Sequence, residues 1–375
     1  MLIGVPKETW QGELRAALVP QNAKKLIGAG FEVAVEAGAG IASGYRDEDY
    51  AEAGAAIESD RTRLLSSADI LLRVRKPDLA EVSQLKTGAV HISFLDPFNE
   101  KGLVDALAAR GVTAISMEMI PRTTRAQKMD ALSSQANLAG YVTVILAATQ
   151  SPKIFPMMMT PAGTIAPARV FVIGAGVAGL QAIATAKRLG ARVEAFDTRP
   201  VVAEQVQSLG AKFVEIDLGD TGQTEQGYAK ALTPEQIERQ KAGQKKVISQ
   251  SDVVITTAQL FGRPAPRIVS RDMVESMRPG SVVVDMAVET GGNVEGSVLN
   301  QVVDINGVKV IGQGNLPSEV ARNASDMYSN NLFNLIGEFW DPEAKKLDLD
   351  PEDDIIKACV ITRDGAIVNE TIKNL

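Results

Sequence analysis

The sequence of 375 residues contains only one cysteine, Cys359, and one histidine, His91. A lone cysteine excludes an intrachain disulfide and is typical of a protein from a reducing compartment. Histidine and cysteine are also the usual ligands of structural zinc, so their scarcity argues against a metal site. Because His91 alternates with apolar residues in a predicted strand, we predict a structural histidine that is satisfied by a neighbouring group, and not a catalytic one.

Acidic residues outnumber basic ones, with 46 aspartates and glutamates and 39 lysines and arginines, so the formal net charge is −7. This balance argues against binding to nucleic acid or to an anionic membrane surface. Long hydrophobic runs are also lacking: the most apolar stretch, residues 140–148, is far shorter than the roughly 20 residues that span a bilayer. The first residues favour a buried strand over a signal peptide. We therefore expect a chain that is soluble by itself and reaches a membrane only through a partner.

Glycine, by contrast, is abundant, with 32 residues, as expected for an α/β protein with many tight turns. The first third of the chain alternates between helical patterns, at 20–30 and 100–110, and strand patterns, at 2–5, 31–36, 69–74, 89–94 and 112–116. Strands that alternate with helices pair in parallel. The predicted fold is therefore α/β, with two doubly wound Rossmann-like domains that flank a cleft and are linked by long helices.

The two long helices are predicted at 126–149 and 317–339. Strand patterns of the second domain lie at 168–173, 192–196, 212–216, 253–256, 281–285 and 309–311. A polar segment, 218–246, interrupts them and turns helical from about residue 233. Because a second long helix follows the last of these strands, we predict a discontinuous first domain, 1–130 with 320–375, and a nucleotide-binding domain at 131–319.

A glycine-rich turn, Gly174-Ala-Gly176-Val-Ala-Gly179, follows a predicted buried strand and opens a predicted helix. In this pattern the first glycine permits a tight turn, the second lets a pyrophosphate approach the backbone, and the third lets helix and strand pack closely. Val177 and Ala178 belong to the first turn of the helix, whose N-terminus attracts phosphate. The strand–loop–helix–strand context favours a dinucleotide site over a turn that binds nothing.

Asp197 ends the next predicted strand and lies 18 residues after Gly179. Its carboxylate is expected to bind the adenosine ribose hydroxyls and to repel a 2′-phosphate, which favours NAD(H) over NADP(H). Arg199 favours NADP(H) instead, because an arginine near this position can bind a 2′-phosphate. Alternatively, Thr198 and Arg199 only flank the adenine; we predict NAD(H).

A polar stretch before this domain carries Arg122, Gln127, Asp130 and Ser133. An arginine held by a carboxylate and a hydroxyl is a fixed donor suited to the carboxamide of nicotinamide. The same residues also fit a capped helix start, with Thr123 or Thr124 as the N-cap and Gln127 completing a capping box. The local pattern does not separate these interpretations, and the position between the two predicted domains favours the functional one.

Four further segments could belong to the site or to its surroundings. Tyr228, after Gly227 in the polar segment, either folds over a bound nicotinamide or is an exposed loop tyrosine. Thr257 and Ala258, like the segment 291–293, follow predicted strands and are expected to line the nicotinamide pocket. The methionines at 157–159 are predicted to provide adaptable packing under the domain junction, not a cofactor site.

Several of these motifs together resemble the NAD(H)-binding component, domain I, of proton-translocating nicotinamide nucleotide transhydrogenases. The resemblance covers essentially the whole chain. The matching segments are Pro6-Lys-Glu8, Pro121-Arg122, Arg125-Ala-Gln127, Asp130-Ala-Leu-Ser133-Ser134, the glycine turn, Gly227-Tyr-Ala-Lys230, Gly262-Arg-Pro-Ala-Pro266 and Gly291-Gly-Asn293. The combination of Arg122, Gln127 and Asp130 is particular to this family.

The resemblance implies that Arg122, with Asp130 and Ser133, holds the nicotinamide of NADH, and that Gln127 reaches toward an NADP(H)-binding component. Tyr228 would be the tip of a loop that closes over the nucleotide. It further implies a homodimer that passes hydride to NADP⁺ on a partner component, coupled to proton translocation. The expected location is cytoplasmic, on the inner face of the cytoplasmic membrane through membrane-spanning partner subunits.

Alanine dehydrogenases share the implied fold and are the main alternative. That family uses a lysine in a Lys-x-Lys-Glu-Pro motif and a histidine on the next strand. Here the matching segment reads Arg73-Val74-Arg75-Lys76-Pro77 and the position of the histidine holds Phe94, while Arg15 is retained. Arginine does not replace a titrating lysine and phenylalanine transfers no proton, so the amino-acid site is expected to be lost. A non-catalytic NAD-sensing module is the third possibility, and it would not require Arg122 and its neighbours.

Overall fold

The computed structural model describes residues 1–219, 221 and 232–375. They form two compact units, one made of Met1–Gln135 with Ser318–Leu375 and the other of Ala136–Pro317. Each unit has its own parallel sheet and its own hydrophobic core, and the two are described separately.

The strands of the described residues are numbered along the chain. They are β1 (Leu2–Val5), β2 (Glu32–Glu36), β3 (Ala56–Glu58), β4 (Ile70–Arg75), β5 (Val90–Phe94), β6 (Thr113–Ser116), β7 (Met158–Thr160), β8 (Gly163–Ile165), β9 (Arg169–Ile173), β10 (Arg192–Phe196), β11 (Lys212–Phe213), β12 (Val253–Thr256), β13 (Val282–Asp285), β14 (Gln301–Ile305), β15 (Val308–Gly312), β16 (Trp340–Asp341), β17 (Lys346–Leu347), β18 (Val360–Arg363) and β19 (Ala366–Ile367).

The helices of the same residues are numbered in the same way. They are α1 (Pro20–Gly28), α2 (Asp47–Glu52), α3 (Arg61–Ser67), α4 (Lys101–Ala109), α5 (Ala131–Gln150), α6 (Val177–Arg188), α7 (Ala203–Ser208), α8 (Pro234–Ile248), α9 (Arg271–Glu275), α10 (Ala321–Phe339), α11 (Asp354–Cys359) and α12 (Glu370–Lys373).

The first unit is built on an eight-stranded sheet within the described residues, in the order β19-β18-β6-β5-β4-β1-β2-β3. Strands β1 to β6 pair in parallel, and β18 and β19 add antiparallel strands at one edge. Alternate residues of β4 enter different cores, since Ile70 and Leu72 lie in one cluster and Leu71 in another. A strand buried on both faces explains this nearly continuous apolar sequence.

The second unit repeats the plan with a seven-stranded sheet in the described residues, ordered β11-β10-β9-β12-β13-β15-β14. All neighbours are parallel except the edge pair β14–β15. Both sheets contain the order 3-2-1-4-5 of doubly wound folds, in which the order of the strands reverses between the first and fourth strands. In the second sheet that point lies between β9 and β12, and ligands of open α/β sheets bind there. The predicted fold class is confirmed.

Helix α5 is long enough and apolar enough to cross a membrane by length and composition, with a mean hydropathy of 1.2 over its most apolar window. The core helix of a globular unit passes the same test. The contacts of α5 are those of a core helix, because Val144 and Ala147 belong to the second unit's core and Gln135 is buried and hydrogen-bonded. At Gly140 a side chain would lie 2.2 Å from the Ala178 carbonyl oxygen, so α5 approaches α6 backbone to backbone.

Strands β7 and β8 form a separate two-stranded hairpin. All of its strand residues are exposed, including Met158, and Met157 and Met159 are 60% and 74% exposed. The prediction that these methionines provide packing under a domain junction is therefore wrong. Only Phe155, just before the hairpin, has the buried position expected of a core residue in this segment of the described chain.

Most of the strands that the sequence patterns predicted lie within one residue of their predicted limits. The short edge strands β3 and β14 were missed, and β11 ends at Phe213, before the predicted limit of 216. Helix α5 begins at Ala131, five residues later than predicted, because Gln127–Met129 forms a separate 3₁₀ turn. Helix α10 begins at Ala321, after a 3₁₀ turn over Leu316–Val320.

The lone histidine and the lone cysteine are both core residues of the first unit. His91 is completely buried on β5, and neither ring nitrogen has a hydrogen-bond partner in the described part of the chain. Burial, assisted by the charge of Arg73, lowers the pKa of His91 to about 3. Burial likewise raises the pKa of Cys359 to about 12. His91 thus has the buried strand position that was predicted, but the expectation that a neighbouring group satisfies its ring is wrong for the described residues.

Candidate dinucleotide-binding site

The glycine turn begins where β9 ends, at the switch point of the second sheet. Gly174 has a φ of +99°, a conformation that favours glycine, and its N–H donates to the Phe196 carbonyl oxygen at 2.8 Å. A side chain at Gly174 would lie 2.5 Å from the Thr257 hydroxyl oxygen, which itself donates to the Gly174 carbonyl at 3.1 Å. Thr257 thus fastens the turn to the end of β12.

The other two glycines of the turn meet opposite surroundings. A Cβ on Gly179 would lie 1.9 Å from the Gly174 carbonyl oxygen, so only glycine lets α6 pack this closely on β9. A Cβ on Gly176 would meet nothing within 4 Å, so the backbone is open on that side. Gly176 is also the N-cap of α6, and Val177 and Ala178 start the helix. Open backbone at a helix N-terminus is the environment that suits a pyrophosphate.

Ala258, the residue after Thr257, is held by a buried asparagine. The Asn293 side chain accepts from the Ala258 N–H at 3.0 Å and donates to the carbonyls of Ala258 at 2.8 Å and Pro266 at 2.9 Å. Asp285, fully buried at the end of β13, accepts from the backbone N–H of Asn293 at 3.1 Å. Asn293 was expected to line a nicotinamide pocket, but its buried amide braces the loop that carries Ala258.

Asp197 lies at the end of β10, beside the glycine turn. Its Oδ2 accepts from the Ala175 N–H at 2.7 Å, and the Arg199 guanidinium pairs with both carboxylate oxygens. These hydrogen bonds raise the pKa of Arg199 above its usual value. Thr198, between them, accepts from the Thr221 hydroxyl through its backbone carbonyl at 2.7 Å. Asp197, Thr198 and Arg199 therefore lie together beside the glycine turn, where the adenosine end of a dinucleotide was predicted to bind.

In the first unit, Asp130 is the N-cap of α5. Its Oδ1 accepts from the Ser133 N–H at 2.9 Å, and its Oδ2 accepts from the Ser133 hydroxyl at 2.5 Å. The alternative in which Thr123 or Thr124 caps the helix is wrong, because the helix starts after Asp130. Capping fixes the carboxylate and the hydroxyl relative to the helix axis.

Arg122 and Gln127 lie on the exposed side of the turn that precedes this cap. The opposite side is anchored by Ala126 and Met129, which are fully buried in the core of the first unit. Helix α10 also stabilises this turn. Its Asn331 side chain donates to the Lys128 carbonyl at 3.0 Å and accepts from the Ser134 hydroxyl at 2.7 Å. A second amide, of Asn334, donates to the same carbonyl at 3.1 Å.

Ion pairs add to this anchorage. Arg125 pairs with Asp353 at 2.5 Å and lies 3.5 Å from Glu338, and Lys128 pairs with Glu338 at 2.7 Å. The exposed Arg122 and Gln127 are therefore carried on a backbone fixed by its neighbours. Sequence reasoning missed these supports, because contacts between residues about 200 positions apart leave no local pattern.

A buried ionic cluster occupies the switch point of the first sheet. Arg15 donates to both oxygens of Glu13, at 2.7 and 2.6 Å, and Arg75 donates to Glu13 at 3.0 Å. Burial alone would raise the pKa of Glu13, but hydrogen bonding and the charge of Arg15 outweigh it and lower the pKa to about 2. Burial raises the pKa of nearby Glu8 to about 7. The hydrogen bond that the Val74 N–H donates to Glu8 lowers this pKa and offsets the effect of burial only in part.

Two predicted site residues, Gly227 and Tyr228, lie outside the described residues. The remaining candidates fall into two groups, one in each unit. The turn-and-cap group of the first unit contains Arg122, Gln127, Asp130 and Ser133, and the glycine-turn group of the second contains Gly174, Gly176, Val177, Ala178, Gly179, Asp197, Thr198, Arg199, Thr257 and Ala258.

Both halves of the chain match one protein family. Residues 4–139 match the family described as "Alanine dehydrogenase/PNT, N-terminal domain", and residues 143–370 match "Alanine dehydrogenase/PNT, C-terminal domain". The chain belongs to the alanine dehydrogenase/PNT family. This confirms the resemblance drawn from the glycine turn and the turn-and-cap group.

Within this family, the chain is 46% identical over 379 residues to an NAD(P) transhydrogenase alpha-subunit chain of Rhodospirillum rubrum, covering 99% of each chain. It is 30% identical to the alanine dehydrogenase of Halomonas elongata, covering 99% of this chain and 96% of that one. The crystal structure of transhydrogenase from Sinorhizobium meliloti is similar with a TM-score of 0.89 and 45% identity, covering 98% of this chain and 100% of that chain.

Proposed function

We propose that the chain is the NAD(H)-binding component of a nicotinamide nucleotide transhydrogenase. It binds NADH and passes a hydride to NADP⁺ held by a partner component. The observation that carries this proposal is the near-complete similarity to the transhydrogenase subunit of Rhodospirillum rubrum, which is closer than the similarity to alanine dehydrogenase. The open backbone at Gly176, at the switch point of the second sheet, is where a dinucleotide pyrophosphate fits.

The two groups of residues have different proposed roles. The glycine-turn group, together with Gly227, binds the dinucleotide. In the turn-and-cap group, Arg122 binds the nicotinamide carboxamide while Asp130 and Ser133, which hold each other at the helix cap, keep that end of the site rigid. Gln127 reaches toward the NADP(H) component, and Tyr228 closes over the ring.

The reaction moves a hydride from the reduced ring of NADH to the oxidised ring of NADP⁺, giving NAD⁺ and NADPH. No proton leaves or joins either ring, so this chain needs no general acid or base. Its residues contribute by holding one ring at a distance and angle from which transfer is possible. A site with an arginine, an amide and a capped carboxylate is suited to that task.

An alanine dehydrogenase is the second candidate, supported by the 30% identity to the Halomonas elongata enzyme and by the retained Arg15. Its proton-transfer groups are lacking among the described residues at the positions that the resemblance indicates. Phe94 packs against the Tyr328 ring with the centroids 5.3 Å apart, and Arg75 is paired with Glu13. The lone His91 is completely buried and has a pKa of about 3. A purely NAD-sensing role would not require Arg122 and Gln127.

The proposed assembly follows from the relatives and from the exposed hairpin. We propose a homodimer whose second copy covers β7 and β8, since a two-stranded hairpin with every residue exposed is marginally stable alone. Membrane-spanning and NADP(H)-binding components would be further partners, coupling transfer of Si/Re-specific type to proton translocation. The chain would then lie on the cytoplasmic face of the membrane. We further propose functional domains at 1–130 with 320–375 and at 131–319.

The test is NADH oxidation by NADP⁺, using the purified chain with and without membranes that carry a matching NADP(H) component. Turnover only in the mixture is the expected result. NAD⁺ reduction by alanine with the chain alone, and no transfer in the mixture, would establish the dehydrogenase instead.

Two variants test the positioning role within the same assay. Arg122→Ala and Gln127→Asn are expected to slow hydride transfer by at least about tenfold while changing NADH affinity much less. Arg188→Ala, which removes an exposed arginine from the far end of α6, is the control for charge. Loss of NADH affinity alone in either variant would contradict the positioning role.

A further inference from the structure

The carboxylate of Asp197 already has a full set of hydrogen-bond donors within the chain. Its Oδ1 accepts from the backbone N–H and the Nε of Arg199, both at 2.9 Å. Its Oδ2 accepts from Arg199 Nη2 at 2.8 Å and from the Ala175 N–H at 2.7 Å. A carboxylate accepts about four hydrogen bonds, so a ribose diol finds no vacant acceptor here.

We infer that Arg199 is an internal competitor for the ribose-binding carboxylate and thereby sets the discrimination between NADH and NADPH. The inference rests on the proposed NAD(H) function and adds a specificity-determining residue to it. The ribose hydroxyls must displace the two guanidinium hydrogen bonds before they can bind Asp197. Some of the binding free energy of NADH is spent on opening this ion pair.

When NADH binds, the Arg199 guanidinium is expected to move and the Asp197 carboxylate to stay, because the backbone N–H groups of Ala175 and Arg199 hold the carboxylate. Asp197 is bonded to the Ala175 N–H inside the glycine turn, so moving it would disturb the turn itself. Its side chain is 7% exposed, whereas that of Arg199 is 14% exposed and lies at the start of the 3₁₀ turn Pro200–Val202. The Arg199 N–H to Oδ1 bond can persist while the long side chain rotates away.

A 2′-phosphate meets a different balance of charges. The displaced Arg199 can pair with the phosphate, but the fixed Asp197 carboxylate remains beside it and repels it. Arg199 therefore opposes NADH, by occupying the carboxylate, and assists NADPH, by supplying a cation. The two effects have opposite signs, so the ratio of the two affinities is a sensitive readout.

The test is equilibrium titration of the full chain with NADH and with NADPH, followed by nucleotide fluorescence. We expect Arg199→Ala to tighten NADH by up to about fivefold, the value of a partly exposed ion pair, and to weaken NADPH. Arg199→Lys, which keeps the charge but loses the two-pronged contact, should lie between wild type and Arg199→Ala. Arg271→Ala is the matched control, because Arg271 makes an exposed pair with Glu275 on α9, in the same unit.

Asp197→Asn should act in the reverse direction. It releases Arg199 and removes the negative charge, so NADH is expected to weaken and the preference for NADH over NADPH to fall. In an NADH-bound crystal structure, the Nη2 of Arg199 should lie beyond hydrogen-bonding distance of Asp197 Oδ2, while the Ala175 bond to Asp197 is retained.

Other outcomes overturn the inference in recognisable ways. Weaker NADH binding by Arg199→Ala would mean that Arg199 contacts the nucleotide directly. Affinities that change no more than those of Arg271→Ala would make the pair a surface contact without influence on specificity. Failure of the wild-type chain to bind NADH would instead reject the proposed function, and this inference with it.

Discussion

At the scale of single residues, the glycines of the dinucleotide turn are not interchangeable. Gly179 is surrounded by backbone, with a Cβ position 1.9 Å from the Gly174 carbonyl oxygen, whereas the Cβ position of Gly176 is open. One glycine is therefore required by the fold and the other only by the proposed ligand.

A pair of alanine substitutions separates these requirements. Gly179→Ala should lower the free energy of unfolding by about 2–3 kcal/mol, because the backbone must move apart. Gly176→Ala should change it by no more than about 1 kcal/mol, the scale of an N-cap replacement, yet should weaken NADH binding by at least about tenfold. Urea unfolding curves and NADH titrations check both. Undiminished NADH affinity in Gly176→Ala would mean that no pyrophosphate lies on this turn.

The buried His91 makes the first unit sensitive to acid. Its pKa is lowered from 6.5 to about 3, so the unfolded chain takes up a proton below pH 6.5 while the folded protein does not. Stability is therefore lost as the pH falls from 6.5 toward 3, by up to about 1.4 kcal/mol per pH unit.

Replacing the imidazole by an apolar side chain of similar size removes this loss. His91→Leu should raise the thermal midpoint at about pH 5 more than at about pH 7.5, because a non-titrating residue takes up no proton on unfolding. Calorimetry at the two pH values measures the difference. Ile92→Val, on the same strand and equally buried, is the control, and its effect should be the same at both. An equal effect of His91→Leu at both values would show that His91 does not cause the acid sensitivity.

Residue patterns predicted some roles and not others. The spacing of the three glycines predicted both the turn and the tight packing of α6, because each role depends on the lack of a side chain. The pairing of Asp197 with Arg199 was not predicted. Sequence showed that the two are near each other, but not that the guanidinium would occupy both carboxylate oxygens.

At the scale of elements, prediction worked where a strand is buried on both faces. Strands such as β4 and β9 are continuous apolar runs bounded by turns, and such runs have a clear pattern. The edge strands β3 and β14 are largely exposed, so they carry little hydrophobic signal. The start of α5 was placed too early, since the cap at Asp130 depends on its contact with Ser133.

The turn-and-cap group depends on α10 more than on its own sequence. Asn331 is 6% exposed and bridges the Lys128 carbonyl and the Ser134 hydroxyl. Asn331→Ala removes both hydrogen bonds, so the turn that carries Gln127 should lose its fixed position. We expect hydride transfer to slow by about tenfold with little change in NADH affinity, measured by single-turnover kinetics and titration.

Asn334 provides the matched comparison. It is less buried and donates one hydrogen bond to the same Lys128 carbonyl, so Asn334→Ala should slow transfer much less. Equal effects of the two substitutions would show that the buried bridge to Ser134 has no special role in positioning the turn.

At the scale of the whole molecule, one fold accommodates two chemistries. The family contains transhydrogenase components and alanine dehydrogenases, and the chain resembles members of both. Fold therefore does not decide the reaction, which depends on the residues of the site. Here the position expected for a proton-transferring histidine is occupied by Phe94, which packs against Tyr328.

The exposed hairpin makes the assembly testable. Replacing Met157 and Met159 by asparagine should shift the chain from dimer toward monomer, because it removes apolar area from the proposed contact with the second copy. Sedimentation equilibrium measures the shift. Met327→Asn, at a methionine of α10 that is 43% exposed, is the control for added polarity. A dimer unchanged by the hairpin substitutions would place the contact elsewhere.

The burial of Cys359 has a practical consequence. A thiol with a pKa of about 12 at the end of α11 forms almost no thiolate at neutral pH, and the sequence contains no other cysteine. The native chain is therefore expected not to react with maleimides or iodoacetamides, and no cysteine has to be removed first. A cysteine placed at an exposed position, such as Thr124 beside Gln127, would take up a single fluorophore or spin label and report on the approach of the partner component in real time.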